Sequence, residues 1–267
     1  MKLATYNILY GGAGPAASRL PRIIDVLKNI APDFVAIQEA NNFHLDDKAI
    51  LKKMSAELSA RYFDISVGWA ESKHGFGTFG VAGLSRLKVR TIDTHDRRFK
   101  NGMLHSVVTS PIGDISIVSA HLRADTEDDR LPEAEWIIQI QKNYEHRVVM
   151  GDLNSLSPLD TYPPALIGAF NGKQRKKFTA DTQLRCDVLQ RLFDNGYRDA
   201  AAAGGVNGTM TVPTASNADA AHQTPLRVDY VLLSESLLNR LTGVAVIKNE
   251  KTDAASDHYP VVCELDV

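Results

Sequence analysis

Short apolar runs of strand length recur along this chain, and most of them end in, or carry, one conspicuous polar residue. Residues 3–8 hold Asn7, Phe34-Val35-Ala36-Ile37 delivers Gln38-Glu39, Ile117-Val118-Ser119-Ala120 stops at His121, and Val148-Val149-Met150 stops at Gly151-Asp152 with Asn154 just beyond. Runs of this length between turn residues read as β-strands. Further strands are expected over 62–67, 81–84, 87–92, 104–109, 115–120, 228–233, 241–247 and 259–265, with Gly113-Asp114 as the turn before 115–120.

Helical spacing is rarer. Leu20, Ile23, Ile24 and Leu27 follow i, i+3, i+4, i+7, after the turn Gly11-Gly12-Ala13-Gly14-Pro15 and with Pro21 in the first turn, where its missing N–H costs nothing. Ile50, Leu51, Met54 and Leu58 predict a second helix after Asp46, and others are expected over 133–141 and 184–193. Residues 153–180 read as loop-rich, with three prolines and the basic stretch Lys173-Gln174-Arg175-Lys176-Lys177. No fixed-period repeat and no linker divides the 267 residues, so one domain is expected over 1–267. Many strands with few, spread helices predict two packed sheets flanked by helices.

A formal net charge of -2 argues against a protein that coats nucleic acid through bulk charge, though not against a local basic groove. Cys186 and Cys263 form no Cys-x-x-Cys pair, so no zinc ribbon or redox motif is supported. The amino terminus has no signal-peptide apolar core and no run is long enough for a bilayer; a cytoplasmic protein without membrane insertion and without an obligate protein partner is expected.

The polar residues at the strand ends are Asn7, Glu39, His121, Asp152, Asn154, Asp229 inside Arg227-Val228-Asp229-Tyr230, and Asp257-His258 before the last strand. Half-buried carboxylates are costly unless paired or bound to metal, so their recurrence points to one shared pocket. A hard cation such as Mg²⁺ takes oxygen ligands, and Glu39 suits that role. A histidine beside a carboxylate prefers its charged form, as His258 with Asp229 would. Asp152 is placed to activate a water or to protonate a leaving group.

Thr5-Tyr6-Asn7-Ile8, Ile37-Gln38-Glu39, His121-Leu122, Gly151-Asp152-Leu153-Asn154, Arg227-Val228-Asp229-Tyr230 and Ser256-Asp257-His258-Tyr259-Pro260-Val261 occur in this order across the whole chain. Together they resemble the endonuclease/exonuclease/phosphatase superfamily, the DNase I-like fold. The resemblance implies a four-layer α/β sandwich, two packed, mostly antiparallel β-sheets flanked by helices. It implies a phosphoesterase dependent on Mg²⁺, for which Mn²⁺ substitutes, with a phosphate-ester substrate such as nucleic acid. Glu39, Asn7 and Asp257 match the metal site, and Asp152, Asn154, Asp229, His258 and His121 the catalytic set. No acid near Thr78-Phe79-Gly80 is present to support His121, for which a structural hydrogen-bonded role is the rival reading. Asn101-Gly102 stands where members often carry Arg-Gly, and Asn101, Lys173, Arg175, Lys176 and Lys177 are the candidate substrate contacts. Trp69, Phe76 and Phe79 are able to stack a base or to pack in the core.

Three functions stay open. They are a phosphodiesterase acting on nucleic acid or a nucleotide-like diester, a phosphatase of small molecules or lipid headgroups using the same residues, and a non-catalytic binding module. The completeness of the polar set speaks against the third.

Overall fold

The strand runs are apolar throughout because the central strands are covered on both faces. The computed structural model describes residues 1–13, 17–72, 75–94, 97–215 and 223–267. Gly14-Pro15 of the expected turn, and His74, His95 and His222, lie outside the described residues. The strands in chain order are β1 (Lys2–Asn7), β2 (Phe34–Gln38), β3 (Tyr62–Glu71), β4 (Thr78–Ser85), β5 (Val89–Thr94), β6 (Met103–Ser110), β7 (Gly113–His121), β8 (His146–Asp152), β9 (Thr179–Ala180), β10 (Gln183–Leu184), β11 (Tyr197–Asp199), β12 (Asp229–Ser234), β13 (Leu241–Val246) and β14 (Val261–Leu265). The helices are α1 (Leu20–Ile30), α2 (Leu45–Leu58), α3 (Glu127–Gln141), α4 (Leu166–Ala169), α5 (Gly172–Phe178), α6 (Asp187–Asp194), α7 (Ala200–Ala203), α8 (Glu235–Leu238) and α9 (Glu250–Asp253).

One six-stranded sheet runs β13-β14-β1-β2-β4-β3 and the other β11-β12-β8-β7-β6-β5, with β9 and β10 as a separate short pair. Each large sheet has one parallel pair at its centre, β1 with β2 and β7 with β8, and is otherwise antiparallel. A parallel pair needs a crossover, which α1 and α3 provide. The four strands of the two parallel pairs end at Asn7, Gln38, His121 and Asp152.

Alternation sorts the side chains into layers. Leu3, Phe34, Ala36, Ile117, Val148, Met150, Val231, Val261 and Cys263 meet between the sheets. Ala4, Tyr6, Val35 and Ile37 face Ile23 and Leu27 of α1 and Leu51 and Met54 of α2. Val118, Ala120, Val149 and Leu232 face Ile137 of α3 and Val188 and Leu192 of α6. The result is the expected helix, sheet, sheet, helix stack. At ~2 kcal/mol for each fully buried aliphatic side chain, these interfaces offset the cost of burying a polar row at one end of the sandwich.

Two expectations needed correction, and one edge strand carried no signal in the sequence. Helix α3 starts at Glu127, upstream of Pro132, because Thr126 and Asp129 form a capping box, with Asp129 N–H to Thr126 Oγ1 at 3.2 Å and Thr126 N–H to Asp129 Oδ2 at 3.1 Å. The loop-rich span contains α4 and α5; α5 is started by Asn171, whose Oδ1 accepts the N–H groups of Lys173 and Gln174. Strand β11, too short to show a period, adds an edge beside β12.

Candidate active site

In the second sheet the inward parity that places Ile117, Met150 and Val231 in the core continues to His121, Asp152 and Asp229. The register sets His121 beside Asp152 across β7 and β8, and Asp152 beside Asp229 across β8 and β12. In the first sheet the parity of Leu3 and Thr5 continues to Asn7. The inter-sheet layer thus turns from apolar to polar at one end. Gly151 permits the close approach there: its φ is +147°, and an added Cβ would meet the Ala120 carbonyl oxygen at 1.8 Å.

Asp152 stands at the convergence. Its Oδ2 accepts from Asn7 Nδ2 at 3.1 Å and lies 3.5 Å from His121 Nε2 and 3.9 Å from His258 Nε2. Its Oδ1 accepts the Asn154 N–H at 2.9 Å, a contact made possible by the left-handed backbone of Asn154 at φ +52°. His258 Nδ1 lies 2.8 Å from Asp229 Oδ2. Burial works against the charged imidazole, but Asp229, Asp257 and Asp152 outweigh it and push His258 up to about 10. Burial raises Asp229 as well, so the two groups share a proton more readily together than either would alone.

Glu39 follows β2 on the same rim, with φ +56°, a conformation that turns its side chain toward Asn7. It accepts from Asn7 Nδ2 at 3.3 Å and from the Tyr10 N–H at 2.9 Å. Burial first, and then the charge of Asp257, pushes the Glu39 carboxyl up to about 7. Two buried carboxylates that oppose one another's ionisation form an oxygen donor set that suits a hard divalent cation. Asn7 directs its amide nitrogen at Glu39 and Asp152 and gives its Oδ1 to the Leu9 N–H at 3.1 Å, so it holds both acids in place. Donor atoms of Asp152, Asp229 and His258 also lie within 4.8 Å of one another. In that trio His258 Nδ1 is engaged by Asp229 Oδ2 at 2.8 Å, whereas Glu39 and Asp257 offer oxygen donors alone.

The basic stretch separates once it is helical. Lys173 and Lys177 line a cleft of about 280 Å³ together with Glu39, Asn101, His121, Asp152 and Asn154, whereas Arg175 and Lys176 do not. Lys177 Nζ donates to Asn154 Oδ1, and enclosure of the amine pulls it down to about 8. Arg175 instead donates from Nε to the Phe170 carbonyl at 3.2 Å. Asn101 Nδ2 donates to the Leu122 carbonyl at 3.2 Å, the same oxygen that accepts from Asn154 Nδ2 at 2.8 Å.

Several supporting residues give no sequence signal of their own. Arg19, before α1, donates to the carbonyls of Ile8, Leu9, Ala13 and Ala255, and so fixes the loop above Glu39. Thr211 Oγ1 accepts the N–H groups of Val228 and Asp229 at 3.1 and 3.3 Å. Ser256 Oγ donates to the Asn7 carbonyl at 2.7 Å and ties the segment before β14 to the end of β1, its neighbour in the same sheet. A patterned reading finds none of these, since lone Arg, Thr and Ser residues are common. Outside the cleft, His105 Nε2 meets Ser116 Oγ at 2.8 Å, but Ser116 is fully buried and the group is structural.

A sequence model of the Endonuclease/Exonuclease/phosphatase family matches residues 4–258. A search of curated proteins finds no match. Among solved structures, the chain is similar to an AP endonuclease from Archaeoglobus fulgidus, with 18% identity and a TM-score of 0.70 over 100% of both chains. It is similar to a 3′ phosphatase from Neisseria bound to a product DNA hairpin, with 19% identity and a TM-score of 0.70 over 100% of both chains. It is also similar to an endonuclease/exonuclease/phosphatase from Beutenbergia cavernae, with 19% identity and a TM-score of 0.68, covering 98% of this chain and 70% of that one. At these identities the structural likeness speaks for the fold.

Proposed function

The chain belongs to the endonuclease/exonuclease/phosphatase family, and from that premise we propose that it is a Mg²⁺-dependent phosphodiesterase whose substrate is nucleic acid or a nucleotide-like diester. The observation that carries this reading is the convergence on Asp152: one carboxylate faces two imidazoles and one side-chain amide, with a backbone N–H on its other oxygen. The DNA hairpin bound to the Neisseria relative supports a nucleic-acid substrate.

In this reading Asp152 Oδ2 takes a proton from water as the water oxygen bonds to phosphorus and the ester P–O bond breaks, the leaving oxygen departing with the bonding pair and taking a proton from solvent. His258, held charged by Asp229, donates from Nε2 to a non-bridging phosphoryl oxygen as negative charge grows there. Asn154 and Lys177 hold a second oxygen, and Lys177 replaces part of the charge that Asn101 does not supply. His121, on the other side of Asp152, orients the carboxylate. A divalent cation held by Glu39 and Asp257, positioned by Asn7, would neutralise charge on the scissile phosphate. Cys186 and Cys263 are free thiols that burial pushes up to about 12, which makes them poor nucleophiles and leaves them outside the reaction.

The test is a hydrolysis screen with Mg²⁺ over single- and double-stranded DNA, RNA, bis-p-nitrophenyl phosphate and phosphoinositides, with Asp152→Asn as control. Asparagine still accepts from the Asn154 N–H but cannot take a proton, so turnover is expected to fall ~10²-fold or more with the fold intact. Turnover confined to phosphoinositides or other small esters would replace the nucleic-acid reading by a small-substrate phosphatase. Full activity of Asp152→Asn would remove the site assignment.

A further inference from the structure

We propose that Trp69 is a stacking platform for an unpaired nucleobase next to the scissile phosphate, which makes the substrate a single-stranded or frayed polynucleotide end. This rests on the phosphodiesterase reading above and narrows it. Three aromatic residues near the cleft were candidates, and the structure separates them. Phe79 sets its edge against His121, with ring centroids 6.0 Å apart. Phe76 stacks on Tyr10 at 4.9 Å and 16°. Trp69 alone of the three is open, with 57% of its surface exposed.

Trp69 sits near the end of β3, and the next two residues, Ala70 and Glu71, line the same cleft as Asp152. It is held rigidly. Gly68 packs so tightly on the 100–101 segment that an added Cβ would meet the Lys100 carbonyl oxygen at 2.3 Å. The Ala70 N–H donates to that carbonyl at 3.0 Å. Lys100 and Arg123 stand 5.9 and 5.8 Å from the ring centre, and Asp125 fixes both cations, at 2.7 Å from Lys100 Nζ and 3.3 Å from Arg123 Nε. An exposed indole with two cations gathered over it by one Asp125 oxygen combines a surface for a base with charge for the adjoining phosphate. A base inside a duplex has no free face, so the platform selects an unpaired one.

Trp69 reports on itself, because the chain has only one other tryptophan, Trp136, which is covered by Arg98 at 3.8 Å. In an Asp152→Asn, Trp136→Phe background the remaining fluorescence comes from Trp69 and the probe stays uncut. Oligothymidylate of about four nucleotides, within the range such sites bind, is titrated against a base-free deoxyribose phosphate oligomer of equal length. Quenching by the first and not by the second is expected. In the protein with Asp152 intact, Trp69→Ala is expected to raise KM for the oligonucleotide on the order of tenfold. Trp69→Phe should keep most of the affinity, and base-free ester turnover should not change. Equal quenching by both oligomers, or none, overturns the platform, as does an unchanged KM in Trp69→Ala. Should Trp136→Phe not fold, the difference in quenching between the Asp152→Asn protein and the same protein carrying Trp69→Phe gives the same readout. Loss of the phosphodiesterase reading would show separately, as no cleavage of any diester by the unaltered protein.

Discussion

His258 Nδ1 stands 2.8 Å from Asp229 Oδ2, and the two residues belong to different sheets. Asp229 opens β12, while His258 precedes β14, so the dyad pins the sheets together at their polar end. Both side chains are buried, and the imidazole depends on carboxylates to stay charged. Taking one partner from a buried pair leaves the other uncompensated. Asp229→Ala is therefore expected to cost about 3 kcal/mol of stability near neutral pH as well as activity. Urea unfolding measures it; stability equal to that of the unaltered protein would show that the dyad contributes nothing to holding the sheets.

Metal dependence gives a second test that needs no substrate. Glu39 is buried against the charge of Asp257, and its carboxyl is pushed up to about 7. A divalent cation relieves that repulsion by binding only the folded state, and so raises the melting temperature. Mg²⁺ or Mn²⁺ is expected to raise Tm of the unaltered protein at pH 8, and Glu39→Gln should lose most of that shift while raising Tm in EDTA. The same Tm shift in both proteins would move the cation away from Glu39, toward the trio of Asp152, Asp229 and His258.

The polar row of His121, Asp152 and Asp229 was legible in the sequence because strand parity is simple. A polar residue two positions past an inward apolar one stays on the inner face, so His121, Asp152 and Asp229 had to meet if β7, β8 and β12 are neighbours in that register. The motif order added which strands those were. Glu39 breaks the parity rule: continuing β2 would place it with Val35 and Ile37 on the helix side, and only its left-handed backbone turns it inward. Arg19, Thr211 and Ser256 were illegible for another reason. Their work is hydrogen bonding to backbone groups distant in sequence, which leaves no spacing to read. The basic stretch was read as one patch because its helix was hidden among prolines and glycines. Once α5 forms, neighbours in sequence point to different sides.

That separation sets a third expectation. Lys173 is exposed on the cleft side, so Lys173→Ala should raise KM for a polyanion by about two- to fivefold and flatten its salt dependence. Arg175→Ala and Lys176→Ala should leave both unchanged, since neither residue lines the cleft. Steady-state kinetics from low to high salt decides it. Equal effects from all three would mean that the substrate follows the whole helix rather than its inner face.

Glu133 gives the pH test. It is buried in α3, and its two carboxyl oxygens accept the N–H groups of Lys100 at 3.1 Å and Arg123 at 2.9 Å, which joins the two segments flanking Trp69. Burial outweighs these donors and pushes the carboxyl up to about 7 from an ordinary value of 4.5. A folded value above the unfolded one means that the contribution to stability is complete below 4.5 and lost as pH rises through about 7. Glu133→Gln cannot titrate, and its misplaced amide hydrogen costs the same at every pH. The stability of Glu133→Gln relative to the unaltered protein should therefore rise between pH 5 and pH 8, by about 3 kcal/mol at most. Urea unfolding at both pH values gives the difference directly. A flat difference would mean that the two backbone donors hold the carboxylate ionised throughout, and that the clamp between Lys100 and Arg123 is a charged one.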